Sequence, residues 1–190
     1  MSTLPIRKTV PLLLFQFIAV MAFAQVRYSA KDVKVLVSGT STMHDWTMKS
    51  STGECSAVFT LNSSGQLTGI ASMDFSITAK SLKSEHSGMD KNAYKALKTD
   101  KNTSITYTLT SATVTAGNIS CKGKLTIAGT TVDTDLQAVS KMNADKSITI
   151  SVSKKIKMKD FNMSPPTFMM GAVKTGNEVT LQFDLILIKQ

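Results

Sequence analysis

Apolar residues recur at every second position in seven separate stretches of this chain, and that alternation restricts its fold more than any other feature. The stretches are Val33–Val37, Cys55–Leu61, Ala71–Ile77, Ile105–Leu109, Ile119–Ile127, Ile148–Val152 (continued by Ile156) and Val179–Leu187; a weaker one spans Thr131–Val139. A period of two puts successive side chains on opposite faces of a strand, so each stretch has one apolar and one polar face. Turn residues separate them: Asn62-Ser63-Ser64-Gly65, Ala116-Gly117-Asn118, Ala128-Gly129-Thr130, Asn143-Ala144-Asp145 and Thr175-Gly176-Asn177. Such short links suit antiparallel hairpins, because parallel neighbours need a crossover of about a dozen residues or more. Ser and Thr supply 43 of the residues from 25 to 190, which gives the strands hydroxyl-bearing outer faces and argues against a helical bundle.

One segment departs from the pattern. Ser87-Gly88-Met89-Asp90 has the form of a capping box, with Ser87 as N-cap. Met89, Ala93 and Leu97 then fall at i, i+4 and i+8, which predicts a helix from about Gly88 to Lys98 with one apolar face. The expectation is an all-β domain with one short helix, an antiparallel barrel of about eight strands over residues 25–190, the helix covering an opening. Ala57, Ala71 and Gly123 fall in the inward phase among larger neighbours such as Phe75, Tyr107 and Phe183. Those small residues either leave room for a ligand or accommodate the bulky side chains opposite.

Residues 1–24 read as a signal peptide. Arg7 and Lys8 form a basic start, an apolar run extends from Val10 to Phe23, and Ala22-Phe23-Ala24 gives the small-x-small pattern for cleavage before Gln25. The run is shorter than the ~20 residues that span a bilayer. Export implies a periplasmic or secreted protein. Without Arg7 and Lys8, 20 basic and 13 acidic residues remain. The lysines are dispersed, and the densest run, Lys154–Lys159, has no interleaved aromatics for stacking on bases, so nucleic acid is not the expected partner.

Motifs for chemistry are sparse. His44 and Asp45 lie in Ser41-Thr42-Met43-His44-Asp45-Trp46, but adjacent residues on a strand point opposite ways and make a poor catalytic pair. His44 and Trp46 read instead as a hydrogen-bonded polar residue and a core or rim aromatic near a strand start. His86 is the other histidine, and no paired metal-ligand spacing, nucleophile elbow or phosphate loop occurs. No catalytic and no metal-binding residue is assigned. Cys55 and Cys121 share the inward phase, compatible with a disulfide or with two buried thiols. The loop from Asp160 to Gly171 carries Pro165-Pro166 and the apolar Phe161, Met163, Phe168, Met169 and Met170, which suits either the lining of a barrel mouth or a plug in the barrel end.

With these segments placed, the mature chain resembles the YceI family of exported bacterial proteins. The resemblance is carried by Lys91-Asn92-Ala93-Tyr94-Lys95-Ala96-Leu97 followed by Ile105-Thr106-Tyr107-Thr108-Leu109-Thr110-Ser111. It continues through Cys121-Lys122-Gly123-Lys124-Leu125-Thr126-Ile127-Ala128-Gly129, Met158-Lys159-Asp160-Phe161 and Gly176-Asn177-Glu178-Val179-Thr180-Leu181. Departures are Ala128 where a His is frequent, Thr103 where Pro is usual and Asn162 in place of a common Gly. The resemblance implies a lipocalin-like barrel around a long apolar chain, an isoprenoid or related lipid, with no bound metal and no cofactor. Phe75, Ile77, Tyr107, Leu109, Leu125, Ile127 and Phe183 are the expected wall of that pocket, with Tyr94, Leu97 and Phe168 near its mouth. Leu125→Trp is accordingly expected to fill the pocket. A non-enzymatic carrier of an isoprenoid or acyl chain is the expected function, in transient contact with a membrane. The alternative is an interaction barrel with a filled core. The pattern specifies no oligomeric state.

Overall fold

Every alternating stretch forms a strand in the computed structural model, which describes residues 24–190. In chain order the elements are β1 (Ala24–Ser41), β2 (Trp46–Ser50), β3 (Glu54–Leu61), β4 (Leu67–Thr78), α1 (Ser87–Ala96), β5 (Ser104–Thr115) and β6 (Asn118–Ile127). β7 (Thr130–Met142), β8 (Ile148–Lys157), β9 (Thr167–Phe168) and β10 (Val173–Lys189) follow. Short 3₁₀ turns stand at Ala79–Ser81, Met158–Phe161 and Met169–Gly171. The signal segment expected over residues 1–24 lies outside the described residues except for Ala24, which opens β1. Among the described residues no helix is long and apolar enough to cross a membrane.

All pairings are antiparallel, and β10 returns to pair with β1 as well as β8, which closes an eight-stranded barrel from β1, β3–β8 and β10. β2 continues the line of β3 along the same edge of β1, pairing with Val35–Gly39 where β3 pairs with Ala24–Ser29. The tight hairpins follow from backbone sign. Ala116-Gly117 and Ala128-Gly129 each carry two consecutive positive φ values (47° and 84°, 51° and 80°), the combination a two-residue turn of primed type requires.

Three local expectations are corrected. Thr175-Gly176-Asn177 is no turn but part of β10, where the pairing to β1 slips between Gly39 and Ser41. A Cβ on Gly176 would lie 2.6 Å from the Thr40 hydroxyl, so a larger residue there requires that hydroxyl to turn away. Ala71 faces solvent rather than the interior, since a bulge between Val58 and Phe59 shifts the phase and buries Ile70 instead. The helix is capped by His86 rather than Ser87, with no side-chain cap bond. Asp90 reaches back instead to Ser84, accepting its backbone N–H and its hydroxyl, each at 2.7 Å.

The end of the barrel away from α1 is densely filled. Phe59, Ile119, Ile148 and Leu187 are fully buried there, and Tyr28 packs against Phe59 with its ring tilted by 43° and ring centres 5.0 Å apart. Cys55 and Cys121 are buried free thiols; burial, then the Asp74 charge, pushes Cys55 up to about 12.

Candidate functional site

Packing changes toward the helix end. A cavity of about 410 Å³ opens there, in the range of small-molecule sites. Its floor and walls come from strand ends that the register brings level: Val37 of β1, Met48 of β2, Ile105 of β5, Ile127 of β6, Ile156 of β8, and Val179 and Leu181 of β10. The apolar face of α1 (Met89, Ala93 and Leu97) closes one side, and the segment holding Met163, Pro166, Phe168 and Met169 closes another. No Asp, Glu, Lys or Arg lines the cavity. Its polar groups belong to Ser41, His44, Trp46, His86, Asn92 and Thr175.

The helix is held over the opening by contacts on its other face. The Tyr94 hydroxyl donates toward the carbonyls of Lys80 (3.0 Å) and Leu82 (2.9 Å), and Lys83 lies 5.1 Å from the Tyr94 ring centre. Burial raises the Asp90 carboxyl, but its two bonds from Ser84 and the nearby Lys83 outweigh that and leave it below its ordinary value. On the other side, a bond from Thr42 N–H to the Lys174 carbonyl (3.0 Å) and one from Lys174 N–H to the Thr42 hydroxyl (3.1 Å) tie the β1–β2 link to the start of β10.

Of the ten residues expected to surround a ligand, Leu97, Ile127 and Phe168 line this cavity. Phe75, Ile77, Tyr107 and Leu125 lie buried in the interior without lining it. Phe183 is half-buried and meets Phe75 edge-on at 5.3 Å. Leu109 is half-buried opposite Gly123, and Tyr94 faces the 80–82 segment. The missing Cβ of Gly123 is space taken by Tyr107, whose ring carbon Cζ and hydroxyl would lie 2.4 Å from it. Burial, then the charges at Cys121 and Asp135, raises the Tyr107 hydroxyl, which has no hydrogen-bond partner. A cavity-filling substitution therefore belongs on α1 rather than at Leu125.

Sequence reasoning missed Val37, Ile105 and Leu181, whose phase was legible but whose level along the barrel was not, and Met48, which lies on a strand, β2, that no alternating stretch covered. The density of methionine around the β1–β2 link and after residue 157 was the available signal for the rim.

A family model described as a YceI-like domain matches residues 28–187. The chain belongs to the YceI-like family. Solved structures share the YceI-like barrel at low identity. BcnA of Burkholderia cenocepacia superposes with a TM-score of 0.68 at 14% identity, over 81% of this chain and 95% of that one. A polyisoprenoid-binding domain from Saccharophagus degradans, implicated in plant cell wall breakdown, gives 0.63 at 13% identity, over 87% and 99%. The YceI protein of Campylobacter jejuni gives 0.55 at 19% identity, over 100% and 99%. No curated protein sequence matches the chain.

Proposed function

We propose that this protein is an exported, non-enzymatic carrier that holds a long apolar molecule, an isoprenoid or acyl chain, in the cavity beneath α1. The observation that carries the reading is the uncharged, largely apolar wall of a 410 Å³ cavity with an open mouth. Burial alone suffices for such cargo, at ~0.8 kcal/mol per buried methylene, so few polar contacts are needed. The polyisoprenoid-binding relative supports the class of ligand. Export rests on the basic and apolar segment before Gln25, and it places the protein in the periplasm or medium. Exposed Met43, Met169 and Met170 around the mouth suit a transient membrane contact during loading.

Native mass spectrometry of the cleaved protein, followed by organic extraction, tests this. The expected result is a discrete added mass that extracts as a polyprenyl or acyl compound. Ala93→Trp, which fills the cavity from α1, is expected to lower affinity at least about tenfold, or ~1.4 kcal/mol, with unchanged circular dichroism. A clean mass for residues 25–190 after incubation with polyprenyl and fatty-acyl lipids overturns the reading. It would favour an interaction barrel without ligand, for which the close filling around Phe59, Phe75 and Tyr107 already speaks.

A further inference from the structure

The rim of the cavity carries an unusual set of donor atoms. Six of the nine described methionines line the cavity, and so do both histidines. Met48 and Met158 are buried, whereas Met43, His44, His86, Met89, Met163 and Met169 stand around the mouth, each half-buried or exposed. Apolar cargo has no use for imidazoles.

His44 is held for a further role. Its Nδ1 lies 2.7 Å from the Asp45 carbonyl oxygen, an atom that can only accept, so Nδ1 carries the proton and donates it. In the neutral imidazole that tautomer leaves the lone pair on Nε2, the arrangement in which a metal-binding imidazole is oriented by a carbonyl. The turn is fixed as well: the Ser41 hydroxyl donates to the His44 carbonyl at 2.7 Å and accepts from the His44 N–H at 3.1 Å. The methionine-bearing segment is anchored beside it. Thr175 N–H donates to the Pro166 carbonyl at 3.1 Å, and the Thr42–Lys174 bonds join that strand start to the turn before His44. Met169 and Met170 both adopt left-handed backbone (φ 51° and 56°), a conformation unfavourable for a non-glycine residue.

We infer that this rim is a binding site for a soft monovalent cation, Cu(I), with the thioethers of Met163 and Met169 and His44 Nε2 as its ligands; Met43 and Met89 line the same cavity. Thioether and imidazole donors suit Cu(I), whereas Mg(II) and Ca(II) require oxygen ligands. No carboxylate lines the cavity, and no group of three or more His, Cys, Asp or Glu exists among the described residues to compete. The cation binds without change of oxidation state. This site departs from the metal-free reading that the family resemblance implies, and it does not depend on what occupies the apolar floor.

The test is anaerobic titration of the cleaved protein with Cu(I) in ascorbate against the chromogenic chelator bicinchoninate, with Ag(I) as a redox-inert competitor. One equivalent retained against the chelator and displaced by Ag(I) is expected. Met163→Leu/Met169→Leu preserves apolarity and approximate volume while removing the sulfurs, and His44→Phe removes the nitrogen. Each is expected to weaken retention at least about tenfold, the loss that even an outer-shell partner can cause. Met142→Leu, at the far end of β7, is expected to retain Cu(I) as the parent does. Surrender of all copper by the parent overturns the inference. So does undiminished retention in the rim variants, or an equal loss in Met142→Leu.

Discussion

At the residue scale, Gly123 shows how one missing side chain decides what fills the barrel. Tyr107, its diagonal neighbour on β5, lays its ring where the Cβ would stand, and the Thr108 carbonyl closes in at 2.6 Å. Backbone cannot yield as a flexible side chain can, so Gly123→Ala is expected to destabilise the fold by about 1–3 kcal/mol, the ordinary cost of overpacking. A urea-unfolding midpoint equal to the parent's would refute the contact. The inward phase of Gly123 and Ala57 was readable from alternation. What occupied the space beside Gly123 was not, because alternation gives no height along the barrel. Ala71 fails for a related reason: one bulge moves a residue to the opposite face, and no periodicity announces it.

At the scale of elements, α1 separates local from tertiary information. Its apolar spacing at Met89, Ala93 and Leu97 was legible and is the face that closes the cavity. Its start was read one residue late, because Asp90 is engaged by Ser84 outside the helix instead of by a cap. The depressed Asp90 carboxyl gives that contact a pH signature. A group that titrates lower in the folded chain than its ordinary 3.8 contributes stability in full above that value and loses it as pH falls through the folded one. Asp90→Ala, which leaves the Ser84 donors without their acceptor, is expected to cost about 1–3 kcal/mol near neutral pH. Urea midpoints of parent and variant should draw together well below the ordinary carboxylate pKa of about 4. A gap that stays constant with pH would assign the loss to packing instead of charge.

Across the whole molecule, the closed sheet has one weak line. β7 and β8 pair only from Ala138 and Val152 to Met142 and Ile148, far fewer positions than β6 and β7 share. Above that, Lys154 Nζ donates to the Asp135 carbonyl at 2.7 Å, and Asn162 bonds Thr130 at 3.3 Å. Buried Met158 and Phe161 stand in the turn that follows β8. Hydrogen exchange is therefore expected to be faster, by orders of magnitude, for the edge-facing amides of 131–137 and 153–156 than for those of Ile119–Leu125. Equal protection across the two sets would mean that the seam is sealed. By itself the sequence determined the strand phases away from bulges, the two tight hairpins, the apolar helix face and the family, since each is written in local spacing or motif order. Only the tertiary structure decided which half of the barrel is filled, which strand ends meet at the cavity and that His44 shares a rim with methionines more than a hundred residues away. Those depend on register, bulges and closure, which couple residues distant in sequence and leave no trace in any local pattern.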